Sequence, residues 1–115
     1  MFTLCWTPEA KAAYDQLKAK AKASLDSRRK KEKAKSSRDE GLFKQVYKTV
    51  TLLAANPKHP GLQTHAYHSL PHPCDPKQKV FEAYAQNQMP SAYRVFWCYG
   101  PGKRQLTLIA ITSHP

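Results

Sequence analysis

Four of the five histidines, His59, His65, His68 and His72, stand close together and lead into Cys74. Imidazoles and thiolates are zinc ligands, so this is the first place to look for chemistry. The spacing argues against a metal. A strand would send His65 and His68 to opposite faces, and there is no second cysteine pair to complete a site. The chain also lacks a glycine-rich phosphate loop, a nucleophile elbow and an HExxH helix. The three cysteines, Cys5, Cys74 and Cys98, cannot all pair internally and form no CxxC. A reducing compartment suits them better than a disulfide framework.

The second chemical feature is positive charge. Nineteen Lys and Arg oppose eight Asp and Glu, a formal net charge of +11. Lys18, Lys20, Lys22, Arg28, Arg29, Lys30, Lys31, Lys33 and Lys35 crowd into one segment with only Asp26 and Glu32 against them. Two readings stand level: a solvated tip kept soluble by its charge, or an element that grips phosphates. In either case lysines fix a backbone and do not read bases. An excess this large points to a polyanionic partner. The length suits one domain, residues 1–115. No run approaches the roughly 20 apolar residues that span a bilayer. The amino terminus lacks the basic-then-apolar order of a secretory signal, so a cytoplasmic protein is expected.

The elements that must position these groups follow from periodicity. Phe2, Leu4 and Trp6 alternate with Thr3 and Cys5, the period of a short strand. Thr7-Pro8-Glu9 reads as an N-cap, a first-turn proline and a dipole-favoured acid. Ala10, Ala13, Tyr14, Leu17, Ala21 and Leu25 then mark one helical face. The basic tip spans residues 18–40. Ser37 to Glu40 matches a capping box for a second helix, which buries Leu42, Phe43, Val46, Tyr47, Val50, Leu53 and Ala54 and ends at Asn56-Pro57. Leu62 to Leu70 is expected to be extended, and the prolines of 71–76 make a loop. Val80 to Ala85, Tyr93 to Tyr99 and Leu106 to Thr112 read as strands. The expected architecture is α+β, an N-terminal helical hairpin packed on a small, mainly antiparallel sheet.

In this order, the segment Asn56-Pro-Lys-His-Pro-Gly-Leu-Gln-Thr-His65, the strand Ala92-Tyr-Arg-Val-Phe-Trp97 and the ending Ile109-Ala-Ile-Thr-Ser-His114 resemble the RelE/ParE superfamily. These are the small basic toxins of bacterial type II toxin–antitoxin pairs. The resemblance covers most of the chain outside the basic tip. It implies a ribosome-dependent mRNA endoribonuclease that needs no metal or cofactor, or a ParE-like inhibitor of DNA gyrase. It also implies a cognate antitoxin protein, with the ribosome and mRNA as targets. A plain basic RNA-binding module is the third reading.

Such a nuclease must activate a ribose 2′-hydroxyl, stabilise a pentavalent phosphate and protonate the 5′-oxygen. The family's matching strand carries an arginine on the scissile phosphate, which assigns that role to Arg94. The plain alternative is a surface arginine paired across the strands with Glu82. Glu82 is the candidate general base, as a glutamate is in some members. His114 stands where members place a basic or imidazole group, and an imidazole can protonate a leaving oxygen. Many ribonuclease members continue further and supply a tyrosine or basic residue there. This sequence stops at Pro115, so such a tail is either dispensable or its lack lowers activity. Lys30, Lys31, Lys103 and Arg104 are candidate RNA contacts, and Tyr93, like Tyr84, is a candidate stacking platform. His59 and His65 fall in the family's turn and strand and read as structural.

Overall fold

The computed structural model describes residues 1–29, 38–86 and 92–113. The element order is β1 (Thr3–Trp6), α1 (Pro8–Arg29), α2 (Arg38–Ala55), a 3-10 turn (Pro60–Leu62), β2 (His65–Tyr67), β3 (Val80–Tyr84), β4 (Tyr93–Tyr99) and β5 (Gln105–Ser113). The strands make one sheet in the order β1-β5-β4-β3-β2. β1 runs parallel to β5, and every other pairing is antiparallel. The helical hairpin and mainly antiparallel sheet are as expected. Among the described residues no helix is long and apolar enough to cross a membrane.

Thr7 starts α1 as its composition predicts, and it does more. Its hydroxyl accepts the amide of Ala10 at 3.1 Å and donates to the carbonyl of Ile109 at 2.7 Å. Ile109 is the extra residue of a bulge, since Phe96 pairs with Ala110 and Trp97 with Leu108. One side chain thus caps the helix and anchors the irregular point of β5. At the far end of the hairpin, Arg28 Nη2 donates to Glu40 Oε1 at 2.8 Å and Ser24 Oγ donates to Oε2 at 3.1 Å. Glu40, expected in a capping box, therefore ties α2 to α1; Ser37 lies outside the described residues.

α2 ends where Asn56 precedes Pro57. The Asn56 side chain accepts the amide of Lys58 at 3.0 Å, closing the turn. The extended segment expected over Leu62 to Leu70 is shorter in fact. His59 Nδ1 accepts the amide of Gly61 at 2.9 Å and caps a 3-10 turn that buries Leu62. Gln63 then adopts a left-handed conformation, φ 49°, and only His65–Tyr67 pair as strand. The local cap outcompetes strand alternation because it satisfies amides that have no sheet partner yet.

The core lies between the helices and one sheet face. Leu17, Val46, Val50 and Leu53 from the helices meet Ala83, Val95, Trp97, Leu106, Leu108 and Ile111 from the strands. Trp97, 1% exposed, stacks on Phe81 with ring centroids 4.9 Å apart. Because strand side chains alternate, the residues between these core positions project to the other side of the sheet.

Candidate functional site

That other face carries His65 and Tyr67 from β2, Glu82 and Tyr84 from β3, Arg94 and Phe96 from β4, and Thr112 from β5. Register brings them together. His65 lies opposite Glu82, Glu82 opposite Phe96, Tyr84 opposite Arg94, and Arg94 opposite Thr112. Arg94 and Glu82 therefore meet on a diagonal, with Arg94 Nε 3.9 Å from Glu82 Oε1.

Arg94 is no surface arginine. It is 5% exposed and Glu82 is 1% exposed. Its Nη1 donates to the carbonyls of Tyr93, at 3.2 Å, and Gln86, at 3.3 Å. The Tyr84 ring lies beneath its guanidinium, 3.8 Å from ring centroid to Cζ. Among the described residues Nε makes no hydrogen bond. A buried N–H without a hydrogen bond is costly in isolation, and here the Glu82 carboxylate 3.9 Å away offsets part of that cost.

His65 completes the cluster. Its Nε2 lies 2.8 Å from Glu82 Oε1, its Nδ1 lies 3.2 Å from the carbonyl of Gln63, and its ring edge meets Tyr84 with centroids 5.6 Å apart. Unlike Arg94 and Glu82, its side chain is about half exposed, at 49%. Sequence reading took this histidine as structural and missed its link to Glu82. Its alternation with Tyr67 was visible, but the β2–β3 register that aligns it with Glu82 was not.

Beside this cluster Tyr67 and Phe96 pack with their rings tilted by 53° and centroids 4.7 Å apart. They wall a hollow of about 360 Å³ with Leu70, Ala110 and Thr112. The arrangement combines a buried cation, a carboxylate, a solvent-facing imidazole and an aromatic-walled recess. It can bind an anion and exchange a proton next to it.

The other expected residues distribute differently. Tyr93 packs against the core on the helix side of the sheet, so the aromatic at the cluster is Tyr84. Lys103 and Arg104 are exposed in the β4–β5 hairpin. That hairpin leaves β4 after Tyr99, at the opposite end from Arg94, and Arg104 lies over Phe2 at 5.6 Å. The fold does not bring these two to the cluster. Lys30, Lys31 and His114 lie outside the described residues.

The remaining histidines are used locally. His59 caps its turn. Buried His72 accepts the amides of Cys74 and Asp75 at Nδ1, 3.1 and 3.0 Å, while Nε2 approaches the carbonyl of Tyr99 at 3.3 Å. Among the described residues no three His, Cys, Asp or Glu side chains converge on a metal-sized site. Cys98, 1% exposed, has its thiol pushed up to about 11, chiefly by burial and secondarily by Cys74.

Two solved structures share this architecture over nearly their whole length. One is a YoeB/ParE toxin from Agrobacterium tumefaciens, with a TM-score of 0.59 at 11% identity, covering 98% of this chain and 99% of that one. The fold is that of the RelE/ParE toxins. The other is the YoeB dimer from Staphylococcus aureus, with a TM-score of 0.57 at 8% identity, covering 99% of this chain and 98% of that one. No family model matches the sequence, and no curated protein matches it. Identity this low carries the RelE/ParE fold and leaves the activity to the site itself.

Proposed function

We propose that this chain is the toxin of a type II toxin–antitoxin pair and acts in the cytoplasm as a ribosome-dependent mRNA endoribonuclease. The observation that carries this reading is Arg94, buried beside Glu82 on the sheet face that the helices leave uncovered. Arg94 meets the scissile phosphate, where a fixed cation stabilises the charge that builds up in the pentavalent transition state. Glu82 belongs to the proton-transfer apparatus. Protonation of the leaving group was expected of His114. The Tyr67–Phe96 recess suits a stacked base beside the phosphate. Basic residues towards the far end of α1, Lys18, Lys20, Lys22, Arg28 and Arg29, supply sequence-independent attraction to ribosomal RNA. A cognate antitoxin would hold the protein inactive until it is released.

The test is primer extension on mRNA bound to programmed ribosomes, with wild type and Arg94→Ala. Cleavage in the decoding site that disappears in the variant supports the reading. Intact mRNA from a protein that still arrests growth overturns it, and inhibition of gyrase supercoiling would then favour the ParE-like alternative.

A further inference from the structure

Glu82 is buried to 1% exposure, too deep for its carboxylate to meet a ribose or a leaving oxygen directly. The group of this cluster that reaches solvent is the His65 ring, which Glu82 holds at 2.8 Å. Each ring nitrogen faces an acceptor: Nε2 the Glu82 carboxylate and Nδ1 the Gln63 carbonyl, at 3.2 Å. A neutral imidazole carries one N–H and can satisfy only one of them, whereas the imidazolium satisfies both.

We infer that His65, in its imidazolium form, is the general acid of this site, oriented by the Glu82 carboxylate that also neighbours Arg94. The assignment rests on the ribonuclease reading above and specifies its proton donor. In the step, the 2′-oxygen forms a bond to phosphorus and its proton passes to water. The bond from phosphorus to the 5′-oxygen breaks, and His65 gives that oxygen its Nδ1 proton, exchanging its hydrogen bond to the Gln63 carbonyl for one to the leaving group. The products are a 2′,3′-cyclic phosphate and a 5′-hydroxyl end; neutral His65 then recovers a proton from solvent. Glu82 acts through His65 and is a positioning residue. The groups that face the ring are Glu82 and Tyr84 from β3, together with the Gln63 carbonyl, and Arg94 from β4 stands 3.9 Å from the same Glu82 carboxylate.

Single-turnover cleavage on programmed ribosomes, followed from about pH 5.5 to 8.5, tests the assignment with wild type, His65→Gln, and His65→Gly with and without added imidazole. Thermal melts and ribosome cosedimentation establish that each variant folds and binds. The expected result is a rate about 100-fold or more below wild type for His65→Gln, the usual scale of a lost general acid. Ribosome binding should be unchanged, the pH profile flattened, and part of the rate of His65→Gly restored by imidazole. A His65→Gln rate and pH profile equal to wild type overturns the assignment and leaves the ribonuclease reading standing. A slower rate with an unchanged pH profile and no imidazole rescue makes His65 structural, and also overturns it. If wild type itself leaves mRNA intact, the ribonuclease reading fails and takes the assignment with it.

Discussion

Arg94 reaches Glu82 on the diagonal between neighbouring strands, with Nε 3.9 Å from Oε1, while Tyr84 takes the position directly opposite it. The offset lets one carboxylate serve two side chains, the Arg94 guanidinium on one side and the His65 ring on the other. It also makes the pair asymmetric. Removing Arg94 leaves Glu82 its histidine, whereas removing Glu82 leaves a buried guanidinium with no counter-charge from this cluster.

The stability consequence follows from that asymmetry. Breaking a buried ion pair from one side costs about 3–5 kcal/mol. Glu82→Ala is expected at the upper end of that range and Arg94→Ala at or below the lower end. The double variant should lose less than the two single losses added together. Urea denaturation of all four proteins measures the coupling, and strictly additive losses would mean that the pair does not interact.

Much of this site was readable from the chain, and the reason is alternation. In β4, whose bounds match the expected Tyr93–Tyr99, Val95 and Trp97 mark the core face and so place Arg94 on the other. The same parity places Glu82. His65 was missed because its partner is set by the register of β2 against β3, and a long proline-bearing loop separates those strands. Periodicity within one segment carries no information across such a loop. Tyr93 shares its parity with Val95, which puts it on the packed side of the sheet, away from Arg94. The short β2 had a local cause, the His59 side chain closing a turn where alternation alone read strand.

Thr7 is expected to matter more than an ordinary cap. Its hydroxyl serves the Ala10 amide and the Ile109 carbonyl at once. Loss of a cap alone costs about 1 kcal/mol. Thr7→Ala should cost about 2 kcal/mol, because the bulge carbonyl loses its donor as well. Thr7→Ser keeps the hydroxyl and should recover most of this loss, a comparison that equilibrium denaturation can make directly.

Cys98 should be chemically silent in the folded protein. A thiol raised from 9.0 to about 11 carries roughly 100-fold less thiolate near pH 8, and the thiolate is the reactive form. Exposed Cys74 should react readily with an aromatic disulfide reagent, whereas Cys98 should react only on unfolding. The same shift has a stability sign. The unfolded chain releases this proton near pH 9 and the folded chain near 11, so the contribution of Cys98 is fully present below about pH 9 and is lost as pH rises toward 11. In Cys98→Ala that part of the alkaline decline in stability should be absent.

Tyr84 separates the aromatic platform from the phenol it carries. Its ring lies under the Arg94 guanidinium at 3.8 Å and meets the His65 ring with centroids 5.6 Å apart, so one side chain packs against both groups. A desolvated cation–π contact contributes about 2 kcal/mol, and it depends on the ring face. Tyr84→Phe should therefore keep stability within about 0.5 kcal/mol of wild type and retain cleavage on programmed ribosomes. Tyr84→Leu keeps bulk but loses the π face, and should lower stability by about 1–2 kcal/mol and slow cleavage about tenfold or more as Arg94 and His65 lose alignment. If Phe and Leu behave alike, the ring acts only as filler, and the alignment of the cluster rests on the Glu82 contacts alone.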